Sequence, residues 1–312
     1  MNYSVLEQKI LKTACYFDLF NFPLTNWEIF RNLYSAGDET LAAVDQALKN
    51  LIQIKALEYQ EGFYFLLNRS QIITTLKDLY LLAQKKMKIA LFYARMIKHL
   101  PFVQAIFVCN SLSYQNSKIE SDIDFAIVAK AGRLWTCRFF CAGLMALLRR
   151  RPTSRTQKNR LCLSFFVSDA NLNLESIAYE GDVHFIYWLK QFLPIYDRKN
   201  YTEDFFQANS WLNKYLPNIP TPQTNSRWQV KSGNQERTSL EISLLGKFGD
   251  WFEAFVKKIQ LNIMPTKLKE LAHVGKKDVV MTDTLLKFHD KDTRLEVRKN
   301  WEEKYQKIIC SN

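Results

Sequence analysis

Asp122 and Asp124 are the residues of this chain whose types and spacing most clearly promise chemistry. They stand in Ser121-Asp122-Ile123-Asp124-Phe125-Ala126-Ile127-Val128. The run from Phe125 to Val128 is apolar and reads as a buried strand. Successive side chains of a strand point to opposite faces. Carboxylates at i and i+2 therefore share a face, while Ile123 and Phe125 turn toward a core. Two carboxylates together offer hard oxygen ligands, which suit magnesium better than they suit packing. The alternative is a pair of solvated turn residues, which the apolar run beyond them disfavours.

A polar step lies upstream of this pair. Val103 to Cys109 reads as a second buried strand, and Asn110-Ser111 follow it. Asn tolerates a left-handed backbone, so Asn110 can turn the chain. The Ser111 hydroxyl and nearby backbone N–H groups can hold phosphate oxygens. An ordinary loop is the plain alternative. Ser113 to Glu120 is polar and loop-like.

The whole pattern is Ser111, ten residues, then Asp-hydrophobic-Asp-hydrophobic. It resembles the signature of the nucleotidyltransferase superfamily, which includes DNA polymerase beta and the aminoglycoside nucleotidyltransferases. The resemblance covers about residues 101–170, with a weaker match in the helices that follow. Asn110 stands where the family usually has Gly. The resemblance implies an α/β (α+β) domain with a small mixed sheet that carries the Asp-x-Asp strand under helices. It implies transfer of a nucleoside monophosphate from a nucleoside triphosphate to an acceptor, with pyrophosphate leaving. Two magnesium ions, roughly 3.5–4 Å apart, would stabilise the attacking and leaving oxygens. Asp122 and Asp124 would be the metal ligands. Asn110, Ser111 and Ser121 would lie on the nucleotide side.

The family also places an Asp or Glu on a later strand. Here that strand is Leu161-Cys162-Leu163-Ser164-Phe165-Phe166-Val167, which has no acid. Ser164 can occupy the position, but serine does not replace a carboxylate as ligand or base. Asp169, just past the strand, is the nearest substitute and the third catalytic candidate; Asp182 is more remote. The acid is either displaced or lost. In the second case the chain is a weak or inactive member of the fold that acts as a DNA- or protein-binding regulator.

Around this centre the elements follow from periodicity. Leu6, Ile10, Ala14 and Phe17 recur at helical spacing. Thr25-Asn26-Trp27-Glu28 reads as a capping box. Leu41, Val44, Leu48 and Leu51 mark a third helix, and Leu57 to Leu66 reads as a hairpin turning at Glu61-Gly62. Three helices and a hairpin over residues 1–68 suggest a winged-helix-like domain. Its third helix carries Glu39, Asp45, Lys49 and Lys55 nearby, which is not a basic reading face for DNA.

Residues 69–216 hold the transferase-like domain with its following helices. A long helix spans about 70–100. Gly132 to Arg150 and Leu174 to Leu193 read as helices, the second stopped by Pro194. Thr202 to Leu216 is a further helix. Arg149, Arg150, Arg151, Arg155, Lys158 and Arg160 make a basic loop that either steers polyanions or is simply solvated. Residues 217–238, with Pro217, Pro220 and Pro222, read as a linker. Residues 239–312 read as a C-terminal helical region: an amphipathic helix over Leu240 to Met264, a short extended piece at Val279-Val280-Met281, and a last helix from about Arg294 to Ile309. His289, in a charge-dense stretch, is either a base or phosphate contact, or part of a surface cluster at a helix boundary. The second reading fits the local charge better.

The bulk numbers are compatible. A chain of 312 residues with 47% hydrophobic residues can bury real cores, which excludes global disorder. A formal charge of +12 favours polyanionic partners, or reflects solubility alone. Six scattered cysteines suggest buried free thiols in a reducing cytoplasm rather than a disulfide framework. The stretch Leu134 to Leu148 contains Arg138 and is too short to span a bilayer, so no membrane partner is expected. The acceptor, whether small molecule, RNA or protein, is not legible.

Overall fold

The computed structural model describes residues 3–153, 156–222, 226–232, 238–274, 277–289 and 292–310. Arg155, Asp290, Lys291 and parts of the expected linker (223–225 and 233–237) lie outside the described residues. The chain begins with α1 (Val5–Asp18), started by Ser4 and Glu7 in a reciprocal capping box. Thr25 and Glu28 form the box expected for α2 (Asn26–Arg31). Then α3 (Leu41–Gln53) buries the stripe Val44, Leu48 and Leu51. Strands β1 (Leu57–Gln60) and β2 (Phe63–Leu66) close a hairpin. Its turn puts Glu61 at φ 53 and Gly62 at φ 89, the two left-handed positions that suit the right-handed twist of the strands. Leu24, between α1 and α2, adds a bridge to Tyr64 of β2.

The second half of the architecture is a sheet. After α4 (Gln71–Ile97) come β3 (Val103–Val108), β4 (Ile123–Ala129), α5 (Leu134–Leu147) and β5 (Leu161–Ser168). Helix α6 (Val183–Lys190), β6 (Leu193–Asp197) and α7 (Tyr201–Ala208) follow. Next are α8 (Ser239–Ser243), α9 (Gly246–Ile263) and α10 (Thr266–His273). The chain ends with β7 (Val279–Met281), β8 (Leu285–Phe288) and α11 (Arg294–Cys310). The six-stranded mixed sheet has the order β6-β3-β4-β5-β8-β7. Only β4 and β5 run parallel, and α5 is the crossover that a parallel pair needs.

One face of the sheet packs on α4, α5 and α9, through residues such as Ile106, Ile127, Ala90 and Val256. The other face, with Phe107, Ala126 and Phe165, packs on α6 and α7. That second core is continuous with the N-terminal helices and with Trp301 of α11. Trp301 Nε1 also donates to the Lys12 carbonyl. Among the described residues no helix is long and apolar enough to cross a membrane.

Four segments depart from the periodicity. The helix expected over Thr202 to Leu216 stops at Ala208, and a 3₁₀ turn over Ser210–Lys214 follows it. The helix expected over Leu174 to Leu193 is broken, because Gly181 takes φ 64 and Asp182 then caps α6. Pro194 does not stop a helix; it lies in β6, an edge strand, where a missing N–H costs no ladder bond on the open side. The helix expected over Leu240 to Met264 is split into α8 and α9 at Gly246, which takes φ 62. Gly249 is forced by close approach, since a Cβ there would lie 1.9 Å from the Leu244 carbonyl oxygen. Finally, the C-terminal segment is not only helical: β7 and β8 extend the main sheet beside β5.

Candidate functional site

Sheet order brings the carboxylates to a cavity. Asp124 is the second residue of β4, and Asp122 stands just before the strand. In the parallel ladder Asp124 lies opposite Cys162 of β5. The pairing then slips between Asp124 and Ala126, so that Leu163 and Ser164 bulge out of register. A bulge of this kind re-aims side chains at the end of a strand. Among the described residues, Asp122, Asp124 and Cys162 form one group whose ligand atoms all lie within 4.8 Å of one another. They line a cavity of about 480 Å³, a size that suits a small-molecule ligand.

Asn110 stands in the same wall. It adopts φ 56, the left-handed turn that its side chain tolerates. Its amide is held from two sides: Oδ1 accepts from Trp188 Nε1 at 2.6 Å, and the other end bonds to Asp124. Ser111 and Ser121 are near but do not line the cavity. Ser111 Oγ is 3.4 Å from Ser117 Oγ. The Ser121 carbonyl accepts from Lys86 Nζ, which also donates to the Lys118 carbonyl at 2.6 Å. Lys86 is 1% exposed, so this buried ammonium from α4 fixes the loop that delivers Asp122.

Asp169 is placed elsewhere. It follows the far end of β5, where its carboxylate accepts from Ala131 N at 2.7 Å. Seven strand positions separate it from Cys162, a distance of about 20 Å. The structure thus overturns Asp169 as a third acid of this site. Asp182 is also committed: it caps α6 through Phe185 N at 3.0 Å and pairs with Arg294 at 2.9 Å.

Ser164 and His289 line the same cavity as the carboxylates. Ser164 Oγ lies 3.1 Å from His289 Nε2. His289 is therefore a cavity residue and not part of a surface cluster, because β8 carries it to the sheet. Helix α6 adds His184, Phe185 and Trp188 to the wall. Behind them lies a buried ionic corner. Arg294 donates to Asp182, Asp292 and the carbonyls of Ile177 and Lys277. Lys287 Nζ donates to Asp292 at 2.6 Å and to the carbonyls of Lys277 and Asp278. The donors of both cations are engaged by the protein, so this corner shapes the cavity.

Electrostatics sets the protonation of the site. Removal from water, and then the neighbouring Asp122 charge, push the Asp124 carboxyl from 3.8 up to about 7. Asp122 is raised as well, chiefly by burial, with Lys86 acting against it. The same burial and both carboxylates raise the Cys162 thiol far above its usual range, so it is a protonated donor at neutral pH. Withdrawal from water, with Lys287 adding to it, pushes His289 down to about 3, leaving a neutral imidazole.

A pH-dependent stability follows. Below pH 3.8 Asp124 is protonated folded and unfolded, and its burial carries no ionic cost. Between 3.8 and about 7 the unfolded chain has released the proton that the fold retains, so stability falls as pH rises. Above that window the full cost remains. Asp124→Asn is expected to raise the melting temperature at pH 8 by at least about 2 °C, with little change at pH 4. Thermal unfolding of both proteins at the two pH values measures this.

The donor set fits a divalent cation. Two carboxylates whose mutual repulsion is only partly relieved by Lys86, Asn110 and Cys162 offer hard oxygen ligands of the kind magnesium takes. No protein-family profile, no curated protein and no solved structure matches this chain.

Proposed function

We propose that this chain is a magnesium-dependent nucleotidyltransferase. The observation that carries the reading is the convergence of Asp122, Asp124 and Asn110 on one cavity of about 480 Å³. Asp122 and Asp124 are the residues that would hold the metal, and its chemistry there is to stabilise charge on the phosphoryl oxygens. Asn110 orients Asp124, and the turn it opens faces the triphosphate. Trp188 and Phe185 give the cavity an aromatic wall. The acceptor's hydroxyl proton passes to His289, directly or through Ser164, in place of the carboxylate that β5 lacks. Before a triphosphate binds, His289 sits at about 3 and holds no proton at neutral pH, and the negative charge of the bound triphosphate would raise its basicity in the complex.

His289→Gln keeps a polar partner for Ser164 but cannot take the proton. It is expected to lower transfer about a hundredfold, the low end for general-base loss. Manganese binding, followed by electron paramagnetic resonance, should not change. Loss of both together would mean that His289 only supports the fold. The reading as a whole is tested with magnesium, each of the four α-labelled nucleoside triphosphates and cell extract, by following pyrophosphate release and label transfer.

One observation favours a second reading. Among the described residues lining the cavity, the remaining carboxylate is Asp292, which is bound to Lys287 and Arg294. A site without a third free acid suits nucleotide binding with little or no turnover. The N-terminal helices and hairpin, with the Leu24–Tyr64 bridge as a short third strand, support a winged-helix scaffold for contact with DNA or a protein. The exposed positions of α3 are Ala42, Gln46, Lys49, Asn50 and Gln53, with a single cation, which favours a protein contact over a DNA groove. A DNA affinity that falls with log salt and ignores the Asp122/Asp124 substitutions would favour DNA.

A further inference from the structure

A second cavity of about 620 Å³ lies between α5, the junction of α9 with α10, and the first residues of β5. It meets the carboxylate cavity, for Cys162, Ser164 and Phe288 line both. There β8 leaves β5 uncovered, for the two strands pair only over Phe165 to Val167, short of Leu161 to Ser164. The walls are mostly apolar, with Phe139, Leu163, Ile263 and Leu268 among them. The floor on α5 is made of small residues, Ala142, Gly143 and Ala146. Among the described residues its charged side chains are Arg138 and Arg151, and none of its lining residues is a carboxylate.

Arg138 is held in place yet incompletely used. Its guanidinium lies 4.6 Å from the centroid of the Phe288 ring and donates through Nη1 to Gln260. Its Nε, closed off from the cavity, has no hydrogen-bond partner among the described residues, so any anion in the groove would be met by the rest of the guanidinium. Burial and the charge of Arg151 lower its pKa to about 10, so it remains a cation at neutral pH. A cation beside the shared wall and an apolar trough behind it complement a molecule with the same two parts.

We propose that this groove is the acceptor site and that it takes a hydroxyl-bearing amphiphilic organic anion, with a carboxylate on Arg138 and Arg151, an apolar body along α5 and the nucleophilic hydroxyl at the wall shared with the carboxylate cavity. The name acceptor rests on the transferase reading of Asp122 and Asp124; the groove and its ligand class do not. Apolar burial supplies most of the affinity, and the arginines select the anion.

Calorimetry of the full chain with decanoate, and with decanol as its neutral counterpart, tests this. Gly143→Trp fills the trough; a Cβ at Gly143 meets nothing within 4 Å, so the helix tolerates it. Arg138→Gln removes the cation. Decanoate is expected to bind once per chain, to be lost in Gly143→Trp and to weaken at least tenfold in Arg138→Gln. Decanol should be indifferent to Arg138→Gln, and both variants should bind manganese as the parent does. No decanoate binding to the parent, or binding that both variants retain, overturns the groove. Groove binding in a chain that binds no manganese with any nucleoside triphosphate overturns the acceptor assignment and points to failure of the transferase reading alone.

Discussion

Replacing Asp122 and Asp124 together by Asn is expected to abolish divalent-cation binding and to lower nucleotidyl transfer about a thousandfold or more. The magnitude follows from several kcal/mol of charge stabilisation supplied at the phosphoryl oxygens, with each 1.36 kcal/mol worth a factor of ten. Loss of activity alone is weak evidence, since many substitutions unfold a protein. Here the sign of the stability change separates the two causes. Burial raises both carboxyls, so in the absence of metal their ionisation costs the folded state. The double variant should therefore melt at least as high as the parent at pH 8. Magnesium should raise the melting temperature of the parent and leave that of the variant unchanged. An inactive variant that melts lower than the parent at pH 8 would count against the metal assignment.

Arg294→Ala is expected to destabilise the protein by about 3–5 kcal/mol, the range for removing one partner of a buried ion pair. Arg294 is 5% exposed, and its side chain joins the N-terminus of α6 to the chain after β8. It bonds Asp182 and Asp292, and it lies 4.6 Å from the Tyr179 ring and 5.0 Å from the Phe185 ring. Truncation leaves Asp182 without its cation and frees Lys287 and Asp292 to shift. Those residues line the site, so nucleotide affinity should fall with stability. Urea denaturation measures the first effect, and calorimetry with a triphosphate in magnesium measures the second. A loss below about 1 kcal/mol would mean that water reaches this corner and satisfies the carboxylates.

The carboxylate pair was legible because period two on a strand is a local rule, and an apolar run after Asp124 makes the strand hard to mistake. The turn at Asn110 was legible for the same kind of reason, since few residues accept φ 56. The partners across the site were not. Cys162 meets Asp124 only through the register of two strands separated by a crossover, and the bulge at Leu163-Ser164 shifts that register again. Asp169 is the nearest carboxylate in sequence, yet the strand carries it to the opposite end from Cys162. Strand β8 gave no pattern either. Leu285-Leu286-Lys287-Phe288 does not alternate, and Lys287 is buried only because Asp292 and two carbonyls receive it. With β8 unread, His289 looked like part of a charged surface. At Gly181-Asp182 the converse holds: apolar spacing continues on both sides of a left-handed glycine that ends one turn and starts α6.

The most direct measurement is calorimetric titration of the parent chain with each of the four nucleoside triphosphates, with and without magnesium, beside the Asp122/Asp124 double variant. At least one triphosphate should bind the parent only when magnesium is present, and the variant should bind none. Failure of all four to bind the parent, or binding that ignores both magnesium and the two substitutions, would contradict the metal assignment.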